Sequence, residues 1–563
     1  MKRIFVTICL LTISCQVQAA ILLESSNGVL VSGPTTMATA CTQTLPIHIT
    51  SVLDAVHSNY SSASQHVCLA PINIHPVGSL GNTTTFRVGG PFTASSNRVL
   101  AGTGAVIFAQ TTVPAILPEW WTTNSIPGTT DMTSAWQAAW KSSMASGGIP
   151  VSLAGGSTYL VNGTAIVGNT ADTVGTPVSL NGNGATLKST SPVSGLLTVQ
   201  GPHPEVDGAG NRTGRVRIND VIITGPGSSG TGLLFYGVQG IVLDHVDINN
   251  WDTGIMFHNV DLVNIVNGSW LRINNKAIDS SNTGYAVGGQ LNSFIIRDSY
   301  VVNNTVTGID YHGGIAPQFI NTNFVANGTS LLLSYTSENS AVTSMPRIEG
   351  CYFEADTGTM IYYGGLNGIV RGGTIDNNNF LVTPNTTAII FGNISDTPVY
   401  TRAFDNSMSV SGGVGSFTPY DASTSVAKPD WRDGTSVDYT VTVGNANHGK
   451  RQTSTKVIGS ASSADIISVG SFGVTTYGTL TIDARGSGTG TLSQYNLLMI
   501  GGGGVISPRT AALTQNYSGG VVTFTLTETT SSGTNKLTIN NTSGSSATFI
   551  VTYEEFSNTA TML

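Results

Sequence analysis

Gly308-Ile309-Asp310-Tyr311 is one of seven copies of a short pattern between Arg215 and Asp396. In each copy a small residue precedes an apolar one, a variable one and usually an apolar or aromatic one. The other copies begin at Gly232, Gly254, Ala277, Ser330, Gly358 and Ala388. Before each copy stand two apolar residues five places apart, namely Ile218/Ile223, Leu243/Ile248, Ile265/Trp270, Ile296/Val301, Phe319/Phe324, Ile348/Phe353 and Val370/Ile375. These pairs begin roughly 22 to 31 residues apart, which is the period range of solenoid repeats. Two strand signals per repeat, joined by Gly, Asn, Asp and Thr, predict seven coils of a parallel β-solenoid.

The composition narrows the class of protein. Only 10% of the 563 residues are charged, Gly alone contributes 67, and the formal net charge is −8. A net negative chain is a poor partner for nucleic acid, whose phosphates attract Lys and Arg. No apolar run reaches the length of a membrane-spanning helix, so no membrane span is predicted. Short β-branched runs between Gly and Asn residues favour an all-β fold.

The first residues resemble a targeting signal. Lys2 and Arg3 precede the apolar run 4–13, and residues 17–19 (Val-Gln-Ala) offer a small-residue cleavage site. This pattern predicts a secretory signal peptide over residues 1–19 and a secreted or cell-surface protein. Lipoprotein processing at Cys15 is the alternative interpretation.

Three cysteines remain after removal of such a signal. In an oxidising compartment Cys41 and Cys68 are expected to form a disulfide. Cys351 falls at an inward position of its coil, equivalent to Val246, and is predicted to be a buried, unreactive thiol.

Changes in pattern divide the chain after the signal. Residues 20–118 are interpreted as a small β-rich N-terminal domain and residues 125–400 as the solenoid. Residues 401–433 are a Ser/Gly/Pro-rich linker, and residues 434–563 have the strand and turn spacing of an antiparallel β-sandwich.

One segment, residues 131–146, has helical periodicity. Trp136 and Trp140 lie on its apolar stripe, and Gly147-Gly148 ends it. We expect this helix to cap the open end of the first coil, with both tryptophans in the core.

The segment that follows the helix carries a family resemblance. A Gly147-Gly148 turn, the strand 149–151, a Gly-x-x-Tyr segment ending at Tyr159 and the irregular coils resemble the opening of pectate-lyase-like right-handed parallel β-helix proteins, including phage tailspikes. Residues 348–354 are similar to a segment common in tailspike-type coils. The resemblance covers residues 125–400 and implies a right-handed parallel β-helix with a polysaccharide as partner. It also implies a possible homotrimer and, as an alternative location, a virion tail. Fold alone does not assign chemistry, because this superfamily contains lyases, hydrolases, epimerases and non-enzymes.

The predicted coils also indicate which side chains share a face. Side chains alternate along the second strand of each coil, so the residues next to the inward apolar ones point outward. Asp279 and Asp310 are then neighbours on the surface, about 4.8 Å apart, with His258 and His312 in the adjoining outward column. Two carboxylates this close cannot both ionise freely, so one is expected to have a raised pKa and to act as an acid. Such a pair suits glycoside hydrolysis by double displacement, with the histidines tuning the pair or carrying protons.

Aromatic residues complete the predicted site. Tyr236 and Tyr362, placed in the column of the histidines, offer stacking surfaces for sugar rings. Trp251 in a turn and Tyr285 in a long insertion are interpreted as exposed binding platforms. Trp270 is assigned to the core.

A second outward column contains Arg297 and Arg371, with Arg297 a candidate for substrate binding. Lyases of the resembled superfamily abstract a proton with Arg or Lys, often beside calcium. Both arginines stand apart from clustered carboxylates, so a lyase ranks below a hydrolase.

The sequence contains no P-loop, zinc-ligand spacing or nucleophile elbow, so no cofactor or metal is predicted. The favoured hypothesis is a secreted glycoside hydrolase acting on a bacterial or environmental polysaccharide. The alternatives are a non-catalytic glycan-binding adhesin or virion tail fibre, and a polysaccharide lyase.

Overall fold

A computed structural model shows the architecture of the chain. It describes residues 86–94, 100–101, 106–411 and 417–421, apart from 169–175, 202–212, 228, 259, 261–263, 281–290, 334–341, 365–368, 393 and 396–400, and elsewhere only the strands given below. Among these residues no helix has the length and apolar character needed to cross a membrane. The chain divides into two compact units, Met1–Ser125 with Ser134–Val151, and Ile126–Thr133 with Ser152–Leu563.

The first unit contains short strands, most of them paired in parallel. They are Leu23–Ser25, Gly28–Leu30, Ile47–Ile49, Val52–Asp54, Ile72–Ile74, Ser79–Gly81, Phe86–Val88, Phe92–Ala94, Leu100–Ala101 and Val106–Phe108, and Val151–Ser152 begins in this unit. The first two strands form an antiparallel hairpin, and the pairs that follow are parallel. The predicted β-rich character of the N-terminal residues is therefore confirmed, while the domain boundaries stay a prediction. The predicted signal peptide, Cys41 and Cys68 lie outside the described residues.

The predicted helix is confirmed as Thr133–Ala145, and a 3-10 turn, Pro118–Trp120, precedes it. Asp131 Oδ1 accepts a hydrogen bond from the Thr133 amide at 2.9 Å, which caps the first turn. Trp136 and Trp140 are buried, with ring centroids 5.5 Å apart. The expected role of the helix as a cap of the first coil stays a prediction.

The second unit contains three parallel sheets that wind together as the predicted parallel β-helix. The long sheet comprises Thr158–Leu160, Val178–Lys188, Thr213–Thr224, Val238–Asn249, Asn264–Asn267, Trp270–Arg272, Phe294–Arg297, Tyr300–Val302, Gln318–Ile320, Asn323–Val325, Arg347–Glu349, Tyr352–Glu354, Gly373–Asp376, Asn379–Val382, Thr401–Phe404, Ser407–Val410 and Asp430–Arg432. The site sheet comprises Ala165–Val167, Ser194–Gln200, Thr231–Tyr236, Thr253–His258, Lys276–Asp279, Thr307–Tyr311, Thr329–Leu333, Ile361–Tyr363, Thr387–Phe391 and Thr418–Asp421. The short sheet comprises Gly314–Ile315, Val342–Ser344, Ile369–Arg371 and Ile394–Ser395.

Apolar side chains from successive coils stack in columns inside the β-helix. Phe324, Phe353 and Phe380 are one such column, with parallel rings 4.9 and 4.6 Å apart between centroids. Cys351 is 1% exposed, as predicted, and burial raises the pKa of its thiol to about 12. A thiol that stays protonated is a poor nucleophile, which agrees with a structural role.

A left-handed backbone residue follows most of the long-sheet strands between Val238 and Phe404 and turns the chain. Asn303, Ala326 and Ala355 have φ values of 56°, 54° and 56° at equivalent corners, and Asn250 and Ile273 precede them. Asn, Asp and Gly adopt this conformation most readily, which explains their frequency between the strands.

Directly after these corners, buried amide side chains form a ladder along the coils. Asn304 Nδ2 donates to Asn327 Oδ1 at 2.9 Å. The backbone N–H of Asn327 donates to Asp356 Oδ1, also at 2.9 Å. Asn274 continues the ladder in the other direction, because its Nδ2 donates to Asn304 Oδ1. Each rung also donates to an inner carbonyl, as Asn327 does to the Val301 oxygen. The ladder satisfies backbone groups that the turns leave inside the protein.

Asp356 ends this ladder as a fully buried carboxyl group. Burial raises the pKa of Asp356 to about 7, although hydrogen bonds from Ser330 and Asn327 act in the opposite direction. The pKa of Asp356 in the folded protein lies above its ordinary value of 3.8. The protonated carboxyl therefore contributes its whole stabilisation below pH 3.8, and this stabilisation is lost as the pH rises through about 7.

Replacing Asp356 with Asn is therefore expected to stabilise the β-helix above pH 7. The Asn side chain has no proton to lose, and its amide can donate to an inner carbonyl as Asn327 does. We expect a gain of roughly 1–3 kcal/mol in the free energy of unfolding. Urea unfolding at pH values above and below the pKa tests this; an equal gain on both sides of it would contradict the assignment.

Coils with longer turns depart from the predicted register. Leu271 pairs with Ile248, and Trp270 pairs with Asp247, so this coil was predicted one residue out of phase. Ile375, not Val370, pairs with Ile348, and Val370 belongs to the short sheet. A slip of one residue exchanges the inner and outer faces of a strand.

The C-terminal residues form two further sheets, as predicted for residues 434–563. One contains Thr442–Val443, Ser463–Gly470, Thr534–Asn541 and Phe524–Ser531, and the other contains Arg451–Ile458, Ala547–Phe556, Thr476–Gly486, Leu492–Gly502 and Val505–Arg509. All of their pairs are antiparallel except the one between Thr442–Val443 and Ser463–Gly470.

Candidate functional site

The site sheet brings Asp279 and Asp310 side by side. Ile278 pairs with Ile309 and Asp279 pairs with Asp310, so the predicted neighbours occupy adjacent coils in register. Both isoleucines are fully buried in the core, which directs the carboxylates to the opposite face of the sheet. The predicted exposure is wrong, because each aspartate is only 4% exposed. Buried carboxylates need partners, and the structure supplies two.

Lys276 is the first partner of the pair. Its Nζ lies 2.9 Å from Asp279 Oδ2 and 2.9 Å from Asp310 Oδ2, so one ammonium bridges both carboxylates. The Lys276 side chain is 31% exposed, whereas those of the two aspartates are 6% exposed. Of these three residues, Lys276 is thus the most accessible to solvent or a ligand.

Sequence reasoning missed Lys276, although the coils contain a signal for it. Lys276 pairs with Thr253 on one side and with Thr307 on the other, and Thr231 and Thr329 continue this column of the site sheet. A single Lys in a column of threonines, in the same coil as Asp279, marks a position that differs from the repeat.

His312 is the second partner of the pair. Its Nε2 lies 3.0 Å from Asp310 Oδ1 and 3.7 Å from Asp279 Oδ1, and the residue is 5% exposed. The His312 backbone amide donates to Ser280 Oγ at 2.9 Å, and the Ser280 amide donates to the Asp310 carbonyl at 3.0 Å. Ser280 therefore fixes the backbone on both sides of Tyr311.

These contacts determine the charge of Asp310. Burial alone would raise its pKa, but hydrogen bonding and charge from His312 and Lys276 outweigh burial, so the pKa of Asp310 lies below its usual value. The sequence predicted a raised pKa for one carboxylate of the pair without saying which, and Asp310 is not that one, because a cation that was not foreseen lies between the carboxylates. Burial would lower the pKa of Lys276, but both aspartates raise it, so Lys276 stays an ammonium.

The remaining histidine and tyrosines were predicted to share one column. His258 is 6% exposed and packs edge-on against Tyr236, with ring centroids 6.0 Å apart. Tyr362 pairs with Leu332, which places it in the column of Asp310 instead of the predicted column of His312. The copy that begins at Gly358 predicts Thr359 as the inward residue of this coil. Ile361 occupies that position instead and pairs with Leu331, so the predicted pattern is displaced by two residues.

The two tryptophans exchange their predicted roles. Trp251 is fully buried, and its Nε1 donates to the Ile223 carbonyl at 3.3 Å, so it is not a binding platform. It directly follows the corner residue Asn250 and occupies the place that Asn274 takes in the next coil, and the Trp251 amide donates to Asn274 Oδ1. Trp270, predicted to lie in the core, is 46% exposed because of the register slip.

Of the predicted binding residues, Arg297 does not join the aspartates. Arg297 lies on the long sheet, where its Nε donates to Asn267 Oδ1 at 3.0 Å. Tyr285 lies outside the described residues.

The donor atoms of Asp279, Asp310 and His312 all lie within 4.8 Å of one another, a spacing that a metal ion could span. The Lys276 ammonium already lies between the two carboxylates and supplies the positive charge that a cation would bring. This arrangement does not favour a metal at the cluster.

Comparison with known proteins gave matches only among solved structures. No protein-family model and no curated protein matches the chain. The tailspike protein of Acinetobacter baumannii phage AM24 is 13% identical, with 80% of this chain and 84% of that chain covered and a TM-score of 0.35. The tailspike protein gp49 of A. baumannii bacteriophage Fri1, described as a capsular polysaccharide depolymerase, is 10% identical, with 80% and 87% covered and a TM-score of 0.28. At scores this low, the fold rests on the strand pairing and not on the similarity.

Proposed function

We propose that the chain hydrolyses glycosidic bonds of a polysaccharide at the cluster of Asp279, Asp310, Lys276 and His312. One observation carries this proposal: two carboxylates from adjacent coils share one ammonium at 2.9 Å each, beside a histidine. Oxygen atoms of the two carboxylates lie within 4.8 Å of one another. Glycosidases that form a covalent intermediate have their two carboxyl groups roughly 5 Å apart, so this spacing supports the proposal.

The two carboxylates take different roles in this mechanism. Asp310, whose pKa is held low by His312 and Lys276, is the carboxylate that attacks the anomeric carbon. A glycosyl ester forms as the bond to the leaving sugar oxygen breaks, and Asp279 acts as the general acid that passes a proton to that oxygen. Water then cleaves the ester, Asp279 takes a proton from the water, and Asp310 is released as a carboxylate. His312 and Lys276 stabilise the negative charge on Asp310 between turnovers.

A lyase mechanism is less consistent with the same contacts. A lyase needs a neutral Lys or another base to remove a proton from the sugar, whereas the raised pKa of Lys276 keeps its ammonium protonated. Arg297, the basic residue considered for that role, belongs to the long sheet.

A second candidate, glycan binding without cleavage, is favoured by the burial of the cluster. Asp279, Asp310 and His312 are 4%, 4% and 5% exposed, which also suits an ion-pair network that only holds two coils together. Both candidates share a polysaccharide ligand.

The test is incubation of the full chain with a panel of bacterial capsular and environmental polysaccharides. New reducing ends without unsaturated sugars support hydrolysis. Unsaturated products, detected by their ultraviolet absorbance, would establish a lyase instead. Binding without either product would establish the non-catalytic alternative.

We also propose that the protein is a homotrimer that acts outside the cytoplasm, either secreted after loss of residues 1–19 or on a virion tail. Assembly through the C-terminal residues is the expected route. Light scattering gives the oligomeric state, and mass spectrometry of the mature N-terminus distinguishes the two locations.

A further inference from the structure

The outer face of the long sheet carries an exposed aromatic pair on a different sheet from the carboxylate cluster. Trp270 and Tyr300 pair in register on adjacent coils, and their rings stack with centroids 4.6 Å apart and planes 21° apart. They are 46% and 40% exposed. Arg272, held by Asp247 of the preceding coil at 2.7 Å, places its guanidinium 5.9 Å from the Trp270 ring centroid. Trp270 therefore supports Tyr300 from one side.

The other face of Tyr300 is directed toward the next coil. Asn323 pairs with Tyr300, and Tyr352 of the coil beyond pairs with Asn323. Two coils of a parallel solenoid span about 9.6 Å, so a short residue separates two tyrosines at that spacing. The Asn323 side chain makes no hydrogen bond within the described part of the chain, while its backbone amide donates to the Ser299 carbonyl.

The spacing fits one sugar ring. A sugar ring held between two aromatic rings needs carbon–carbon contacts of about 3.5–4.0 Å on each of its faces. With the thickness of the puckered sugar ring added, the two aromatic rings must stand about 9 Å apart. We propose that Tyr300, Asn323 and Tyr352 form a slot that binds one sugar ring of a glycan chain, separate from the place of cleavage.

The polar groups of the slot favour a sugar over an apolar protein surface. An amide covered by apolar groups would lose its hydrogen bonds to water, whereas sugar hydroxyls can both donate to it and accept from it. Glu354 adds a carboxylate at the edge of the slot, where it accepts from the Tyr352 hydroxyl at 3.0 Å. The apolar faces of a sugar ring would contact the tyrosines, and its hydroxyls would contact Asn323 and Glu354.

The test is affinity electrophoresis of the full chain in gels that contain dextran, alginate, hyaluronan or bacterial capsular polysaccharide. At least one polysaccharide should retard the wild type, and Tyr300→Ala and Tyr352→Ala should each raise the dissociation constant about tenfold, the order found for loss of one stacked ring. Tyr300→Phe keeps the ring and should bind as the wild type does.

Ile315→Ala is the matched control, because Ile315 is 49% exposed on the short sheet and its replacement also removes exposed apolar area. Cleavage of short oligosaccharides by Tyr300→Ala should match the wild type, which separates this slot from the proposed catalytic cluster. The proposal is overturned if no gel retards the wild type or if the alanine variants bind as the wild type does. A change of oligomeric state in Tyr300→Ala, seen by light scattering, would also overturn it and identify an interface between copies.

Discussion

Asp310→Asn is expected to lower the rate of polysaccharide cleavage by about 10²- to 10⁴-fold while the fold is retained. The amide has the shape of the carboxylate and keeps its place between Lys276 and His312. It lacks the negative charge that these residues stabilise and that attack on the anomeric carbon requires. Initial rates of reducing-end release measure the loss, and the far-ultraviolet circular dichroism spectrum checks the fold.

The pH dependence of the wild type gives a second readout for Asp310. Because its folded pKa lies below 3.8, the nucleophile stays ionised as the pH falls to that value, and the acid-side loss of activity that belongs to Asp310 is expected only below it. Asp298→Asn is the control, since Asp298 is exposed at a corner where Asn321 and Asn377 take the same left-handed conformation. Full activity in Asp310→Asn would exclude the proposed site.

The sequence allowed the fold and the carboxylate pair to be predicted because both depend on local periodicity. Inward apolar residues recur in each coil, and the coils that contain Asp279 and Asp310 share the pattern of a small residue, an isoleucine and an aspartate, so their register could be inferred. Register failed where a turn adds residues without a pattern of its own, as before Trp270 and Ile361. Each error then moved side chains to the wrong face or the wrong column.

The properties of the pair could not be predicted, because they depend on contacts between coils. Burial of Asp279 and Asp310 depends on what surrounds them, which periodicity does not indicate. Lys276 stands three residues before Asp279, but its bond to Asp310 crosses to the next coil. The sequence therefore could not indicate which carboxylate has the lower pKa, because that depends on the cationic partners of Asp310.

Lys276→Met is expected to destabilise the β-helix by about 3 kcal/mol near neutral pH, because it leaves two buried carboxylates without their shared cation. Met keeps most of the length and apolar area of the Lys side chain, so the change reports mainly on charge. Urea unfolding of variant and wild type measures the difference. Lys141→Met is the control, because Lys141 is exposed on the helix and faces no comparable pair.

The pH dependence of that difference tests the electrostatic origin of the effect. In the wild type the low pKa of Asp310 gives a stabilisation that is present above its ordinary value of 3.8 and is lost as the pH falls through the lower folded value. In Lys276→Met, burial and the neighbouring carboxylate are expected to raise the pKa of Asp310, so acid protonates it and relieves the repulsion. The stabilities of the two proteins should therefore differ most near neutral pH and become equal in acid.

Adding Asp310→Asn to Lys276→Met should recover part of the lost stability at neutral pH, because it removes one of the two charges that repel each other. Equal stability of Lys276→Met and wild type at neutral pH would mean that Lys276 does not hold the pair together.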